Sequence, residues 1–268
     1  MVIRDITHDI TTLSVPFYRF GRLRIGGRGT IVRLQSGSLA VFSPVALTPD
    51  VQARLQAYGN KVRYIAATDI EHHIYLGPWS KAYPEAELIG PHGLPEKREK
   101  DSATAGLNFK HVFTPENKNT YRIGAEFDKE FSYEYVHSHQ NRELVFFHRP
   151  TGSLIQADLI FNPPSREQFS KLPASENPAT SKGTLLDRIF SGLTNVQGDA
   201  LWYKRFLWYA AGSSDRPAFA ESVKKMDTWK GEMKRIIPCH GDVIEGEEEA
   251  GRVWDTVFSW YRDGKKSK

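Results

Sequence analysis

Glu143-Leu-Val-Phe-Phe-His-Arg-Pro-Thr-Gly-Ser-Leu-Ile-Gln-Ala-Asp-Leu-Ile-Phe-Asn162 decides how the chain is read. Residues 143–147 and 153–156 are short apolar runs suited to strands, and Pro150-Thr-Gly152 supplies a turn between them. Such a hairpin delivers one carboxylate, Asp158, into a loop at a strand end, where it is well placed to hold a metal. Histidines stand on either side: His72-His73 upstream, His137-Ser-His139 just before the hairpin, and Cys239-His240-Gly241 near the end. Together they predict a metal pocket built from strand ends.

The same alternation of strand, loop and helix extends outward. Residues 29–34 and 38–42 read as an opening hairpin, closed by Ser43-Pro44. Thr48-Pro49 then caps a helix over 48–58, with Val51, Leu55 and Tyr58 at helical spacing. A buried strand over 62–67 ends at the Asp69–His73 loop, which places the first histidines at a strand's C-terminal edge. A short helix stopped by Pro84 and strands at 86–90, 109–113 and 130–136 follow. Residues 162–184 are rich in Pro, Ser, Asn and Lys and predict a loop long enough to act as a lid. Helices at 185–193, 201–211 and 216–231, a strand at 235–238 and a helix over 247–262 complete the chain, expected to form one domain over 1–268.

Bulk properties narrow the function. No apolar run approaches the roughly 20 residues of a membrane span, and Met-Val-Ile-Arg-Asp-Ile-Thr lacks a signal peptide's apolar stretch, so the expectation is a cytoplasmic protein with no membrane partner. The single cysteine excludes an intramolecular disulfide and a Cys-rich zinc module, leaving imidazole and carboxylate as ligands. The net charge of +4 comes partly from the tail Arg262–Lys268 and from Lys97-Arg-Glu-Lys100. Without aromatics interleaved among those charges, nucleic acid is not an expected partner.

The order of elements, with Ala157-Asp158-Leu-Ile-Phe161 and Ile237-Pro-Cys-His240-Gly241 at strand ends, resembles the metallo-β-lactamase superfamily. The resemblance spans nearly the whole chain. It implies an α/β fold, an αββα sandwich of two mixed β-sheets flanked by helices. His139, five residues before Leu144, matches the family's middle histidine. The first motif, H-x-H-x-D-H in the family, departs: with Tyr83-Pro84 setting the register, His72 takes the last histidine, Glu71 the aspartate, Asp69 the second histidine and Ala67 the first. Glu71-His-His-Ile-Tyr-Leu-Gly-Pro-Trp79, Tyr83-Pro-Glu-Ala-Glu-Leu88 and the 145–162 run look more specifically like an uncharacterised branch, a domain family of unknown function.

His72, Asp158 and His240 make a two-histidine, one-carboxylate set that suits zinc with a water or ferrous iron with open positions. The metal ligands expected are these three and His139, with Glu71 or Asp69 as the group that orients or deprotonates water, and His73 as a further metal or substrate contact. Asp69 and His139 would complete a second position bridged by Asp158, weakened by Ala67, so one tight zinc and at most one further, weak one are expected. His8, His92, His111 and His148 read as structural, and Cys239 as a small buried hydrophobe. Trp202 and Trp208 are candidates for an apolar substrate wall. The expected function is hydrolysis of a small ester, lactone, thioester or related acyl compound by a metal-activated water. Two rivals stand beside it: a mono-iron redox enzyme on the same triad, and a non-catalytic binding protein on an altered hydrolase fold.

Overall fold

In a computed structural model of the chain, which describes residues 1–101 and 104–264, two sheets lie face to face between helices. The strands in chain order are β1 (Val2–Asp5), β2 (Ile10–Val15), β3 (Tyr18–Arg19), β4 (Leu23–Arg24), β5 (Gly27–Arg33), β6 (Leu39–Phe42), β7 (Val62–Ala66), β8 (Glu87–Pro91) and β9 (Phe109–Phe113), then β10 (Phe131–Val136), β11 (Glu143–His148), β12 (Ser153–Gln156), β13 (Arg235–Pro238) and β14 (Ile244–Glu245). The helices are α1 (Pro49–Ala57), α2 (Leu76–Ala82), α3 (Leu94–Glu99), α4 (Ala125–Glu130), α5 (Leu185–Leu193), α6 (Leu201–Phe206), α7 (Arg216–Asp227) and α8 (Glu247–Arg262). One sheet has the order β1-β2-β5-β6-β7-β8-β9, antiparallel to β6 and parallel beyond it; the other has the order β10-β11-β12-β13-β14, with only β12 and β13 parallel. Both sheets are mixed, as the sequence predicts.

Strand alternation builds the layers. On β6, Ala40 and Phe42 face the second sheet while Leu39 and Val41 face α1 and α2. On β11, Leu144 and Phe146 face inward while Val145 and Phe147 meet the helices α6–α8. The inner layer is aromatic: Phe42, Phe127, Phe131 and Phe146 meet with ring centroids 4.4 to 6.4 Å apart. Truncating a fully buried ring there to alanine should cost about 3–5 kcal/mol.

Helix α1 begins where the sequence places it, with the Thr48 side chain accepting from Val51 N and proline in the first turn. Strands β1–β4 were not expected from the sequence. The 207–211 stretch, expected as continuous helix, is a π-helical turn following α6. The basic tail ends at Lys268, and residues 265–268 lie outside the described residues. Residues 162–184 contain no helix or long strand, but their first half is a brace. Ser165, Gln168 and Phe169 are buried; Ser165 Oγ donates to Ile25 O, and Gln168 donates to Cys239 O while accepting from Gly241 N.

Candidate metal centre

Parallel pairing of β12 with β13 aligns Gln156 with Pro238, so Asp158 and His240, each two residues past its strand, emerge side by side. The loop after β7 reaches them from the other sheet. Two backbone bonds fasten it there, Leu144 N to Thr68 O at 2.6 Å and Ile70 N to Asn141 O at 3.0 Å. His72, Asp158 and His240 thereby bring one ligand atom each to within 4.8 Å of one another, the one such group of three among the described residues.

The hydrogen bonds fix which ring nitrogens are free. His240 Nδ1 lies 2.6 Å from Gly26 O, which can only accept, so Nδ1 carries the proton and Nε2 a lone pair. His72 Nδ1 lies 2.9 Å from Asp69 Oδ1, with the same consequence. The two Nε2 atoms then face each other at 3.0 Å, and Asp158 Oδ1 sits 3.2 Å from His240 Nε2, buried and receiving no hydrogen bond. With both rings neutral, three lone pairs converge without a donor, an arrangement that a cation satisfies, whether a proton on His72 or a metal ion among all three. With metal–ligand bonds of about 2.1 Å, ligand atoms stand about 3.4 Å apart around a tetrahedral ion and about 3.0 Å apart at neighbouring octahedral positions. Two of the three edges, 3.0 and 3.2 Å, match those spacings and the whole group lies within 4.8 Å, so the donor set and its convergence fit the ion that the sequence implies.

The surroundings favour positive charge. Burial alone would push His72 down, yet Asp69, Cys239 and Asp158 raise it well above its ordinary value. Burial would likewise raise Asp158, but His72, His240 and His139 hold it far below the usual carboxylate range. Asn141 Nδ2 donates to Asp158 Oδ2 at 2.5 Å, leaving Oδ1 for the ion. Glu143, buried beneath, accepts from the backbone N–H of Ala157 at 2.5 Å and of Asp158 at 3.1 Å, shaping the loop that carries the ligand. The His240 ring stacks on Phe161, with centroids 5.4 Å apart and planes 7° from parallel. Gly241 is required beside it: its φ is +92°, and a Cβ would stand 2.2 Å from Asn162 O. Beneath this turn the buried Arg28 guanidinium donates to Pro238 O at 2.6 Å and Gly241 O at 2.7 Å.

The other residues singled out in the sequence fall into distinct places. Asp69 is fully buried, and its Oδ1 takes the N–H of Glu71 and His72 as well as the His72 ring, so it stands behind the ligand. Glu71 lines the cavity, with Lys97 Nζ 2.8 Å and Arg19 3.6 Å from its carboxylate. Burial opposes its ionisation, but Lys97, Arg19 and His73 hold it below its ordinary value. His73 also lines the cavity and accepts from Arg98 at 2.8 Å. His139 is buried outside the group of three: its Nδ1 accepts from Asn141 N at 3.3 Å and its Nε2 has no partner. Cys239 is buried, and burial pushes its thiol up to about 11.

The cavity in front of the ligands holds about 700 Å³. Its apolar wall corrects one expectation. Phe17, Phe20 and Leu23 of the β3–β4 ribbon, Ile74 and Tyr75 after the ligand loop, and Phe161 and Phe190 form it. Trp202 is 58% exposed on α6, and Trp208, in the π-helical turn, packs on Tyr261 and Trp260, so neither lines the cavity. None of residues 162–184 lines the cavity either. The ribbon, Asn141, Glu143, Arg28 and the Gly26 carbonyl were missed from the sequence; the one available signal was Asn141 lying between the two histidines' hairpin and β11.

The fold is that of the metallo-β-lactamases. The chain aligns over 96% of its length with 96% of the DIM-1 metallo-β-lactamase exposed to ceftazidime, at TM-score 0.59 and 9% identity. It covers 96% of the mono-zinc form of FIM-1 from Pseudomonas aeruginosa, with 97% of its own length, at TM-score 0.55 and 12% identity. It also covers 60% of the metal-soaked Flv1 flavodiiron core from Synechocystis, with 96% of its own length, at TM-score 0.62 and 14% identity. No curated protein matches the sequence. Within this fold the chain belongs to the family described as Domain of unknown function (DUF4336), whose model matches residues 21–179, a stretch that holds His72 and Asp158 and ends before His240.

Proposed function

We propose that the chain is a metal-dependent hydrolase of a small ester, lactone, thioester or related acyl compound, with one metal on His72, Asp158 and His240. The observation that carries this reading is the pair of Nε2 lone pairs 3.0 Å apart beside the unpartnered Asp158 Oδ1. A divalent ion, when bound, supplies a Lewis acid that polarises a carbonyl and makes water acidic near neutral pH. The chain's own groups do the rest. Asp69 and Gly26 O hold the two rings in the ligating tautomer, and Asn141 turns Asp158. Glu71, within the cavity lining and fixed by Lys97, orients water or takes up its proton, while the aromatic wall receives the apolar part of the substrate. Supporting one ion rather than two, His139 lies outside the group of three whose ligand atoms converge, and Ala67 offers no donor atom.

The test is a panel of aryl esters, lactones and acyl thioesters offered to zinc-loaded protein. Hydrolysis abolished by chelator and by His240→Ala supports the reading, with Glu71→Gln slower by about 10²-fold or more. Absence of turnover on every member, in protein that holds its metal, would contradict it. A second reading is favoured by one observation, the two-histidine, one-carboxylate set with room for further ligands: ferrous iron performing redox chemistry. Protein purified without oxygen would then hold iron and react with an oxidant rather than hydrolyse the panel.

A further inference from the structure

The mouth of the cavity is bounded by apolar side chains that no part of the described chain covers. Phe20, at the tip of the β3–β4 ribbon, is 82% exposed, and Ile74 across the opening is 59% exposed. Helix α5 lies against the ribbon, joined by the Arg24–Asp187 ion pair at 3.1 Å, and sends Phe190 into the cavity. Its outer face is apolar as well: Leu185 is 68% and Ile189 59% exposed, with Leu186 beside them. A helix that turns leucine and isoleucine to solvent next to an apolar opening has the pattern of a surface that meets another apolar phase.

The charge of the ribbon and α5 is predominantly positive. Residues 17–24 and 180–193 contain Arg19, Arg22, Arg24, Lys182 and Arg188 against the single acid Asp187, a net charge equal to the +4 of the whole chain. Arg22, Lys182 and Arg188 are exposed, and no side-chain partner is found for them among the described residues. The acids that do touch the ribbon are occupied: Glu71 by Lys97 and Arg19, Glu176 by Tyr18, and Asp187 by Arg24. A second copy of the chain is a poor cover, since a two-fold interface would set this basic patch against itself. Nucleic acid is a poor cover too, because the large apolar side chains that α5 exposes, Leu185, Leu186 and Ile189, offer no stacking faces.

We propose that this rim docks on an anionic phospholipid surface, so that the cavity opens against the lipid and is filled from it. No helix among the described residues is long and apolar enough to cross a membrane, and docking of this kind needs none. Phe20, Leu185, Leu186 and Ile189 enter the headgroup layer while Arg22, Lys182 and Arg188 meet the lipid phosphates. The docking does not depend on the hydrolase reading.

The experiment is co-sedimentation of the full chain with phosphatidylcholine vesicles, with and without added phosphatidylglycerol. The expected result is binding to the anionic vesicles alone, weakening as salt is raised. Ile189→Asp, and Arg22→Glu with Arg188→Glu, should each weaken that binding about tenfold or more while thermal stability and metal content stay unchanged. Failure to sediment with either vesicle would overturn the proposal. So would binding that Ile189→Asp leaves intact, which would place the contact elsewhere on the chain. A dimer in solution that Ile189→Asp dissociates would identify a second copy as the cover and would equally overturn it. Loss of hydrolysis with vesicle binding retained would instead count against the proposed reaction alone.

Discussion

Asp69 Oδ1 lies 2.9 Å from His72 Nδ1 and also accepts the backbone N–H of His72 and Glu71, so one buried oxygen sets both the turn and the tautomer of a ligand ring. Partners of this kind raise the basicity of a ligating imidazole and stop it rotating. Asp69→Ala should weaken metal affinity about 10–100-fold. Asp69→Asn, which keeps an acceptor, should fall between that variant and the wild type. Competition against a chromophoric chelator measures both, and equal affinity in all three would show that Asp69 does not support the ligand.

Arg28 ties β5 to the turn that carries His240, with its guanidinium fully buried. Arg28→Met keeps the volume but strands the carbonyls of Pro238 and Gly241, and Glu167 loses a buried partner. Breaking such an arrangement from one side costs about 3–5 kcal/mol. Urea denaturation should show that loss, and a smaller one, under about 1 kcal/mol, would mean water replaces the guanidinium.

Glu143 is pushed well above the ordinary carboxylate value by burial, then by Asp69 and Asp158, so the fold favours its neutral form. A group with a raised folded value contributes stability that is fully present below its unfolded value of about 4.3 and is lost as pH rises through the folded one. Glu143→Gln keeps the acceptor for Ala157 N and escapes that loss, so it should gain on the wild type as pH rises above about 4.3. Glu143→Ala leaves two buried N–H groups bare and should cost about 1–3 kcal/mol for each. Chemical denaturation of the three proteins across that range checks the sign.

His73 behaves in the opposite sense. Burial, with Lys97 and Arg98 beside it, lowers it from 6.5 to about 4. The unfolded chain therefore takes up a proton that the folded one refuses, and stability present above 6.5 is lost as pH falls toward 4. His73→Gln, which retains an acceptor for Arg98, should flatten the stability curve in that window. Parallel curves for the two proteins would contradict the assignment.

The sequence made the ligands legible because they follow short apolar runs bounded by loop residues: Ala157-Asp158 after β12, Cys239-His240 after β13, His72 in the loop after β7. It also marked α1 through the Thr48 cap and β11–β12 through their turn. What escaped it had physical causes. Strand β2 reads Ile-Thr-Thr-Leu-Ser-Val, and its buried Thr11 and Ser14 are satisfied by Asp5, Tyr58 and Glu167, partners no local pattern announces. The Gly26 carbonyl that holds His240 is backbone, 214 residues away, and carries no side-chain signal. Trp202 and Trp208 drew attention as large aromatics, yet the wall beside the ligands is formed by a two-residue-strand ribbon too short to show periodicity.

The central claim is a single metal held by His72, Asp158 and His240, and elemental analysis of chelator-free protein beside a His240→Ala variant tests it most directly. About one zinc or iron per wild-type chain and almost none in the variant is the expected result. Equal metal in both proteins, or none in either after reconstitution with zinc and with ferrous iron, would contradict it.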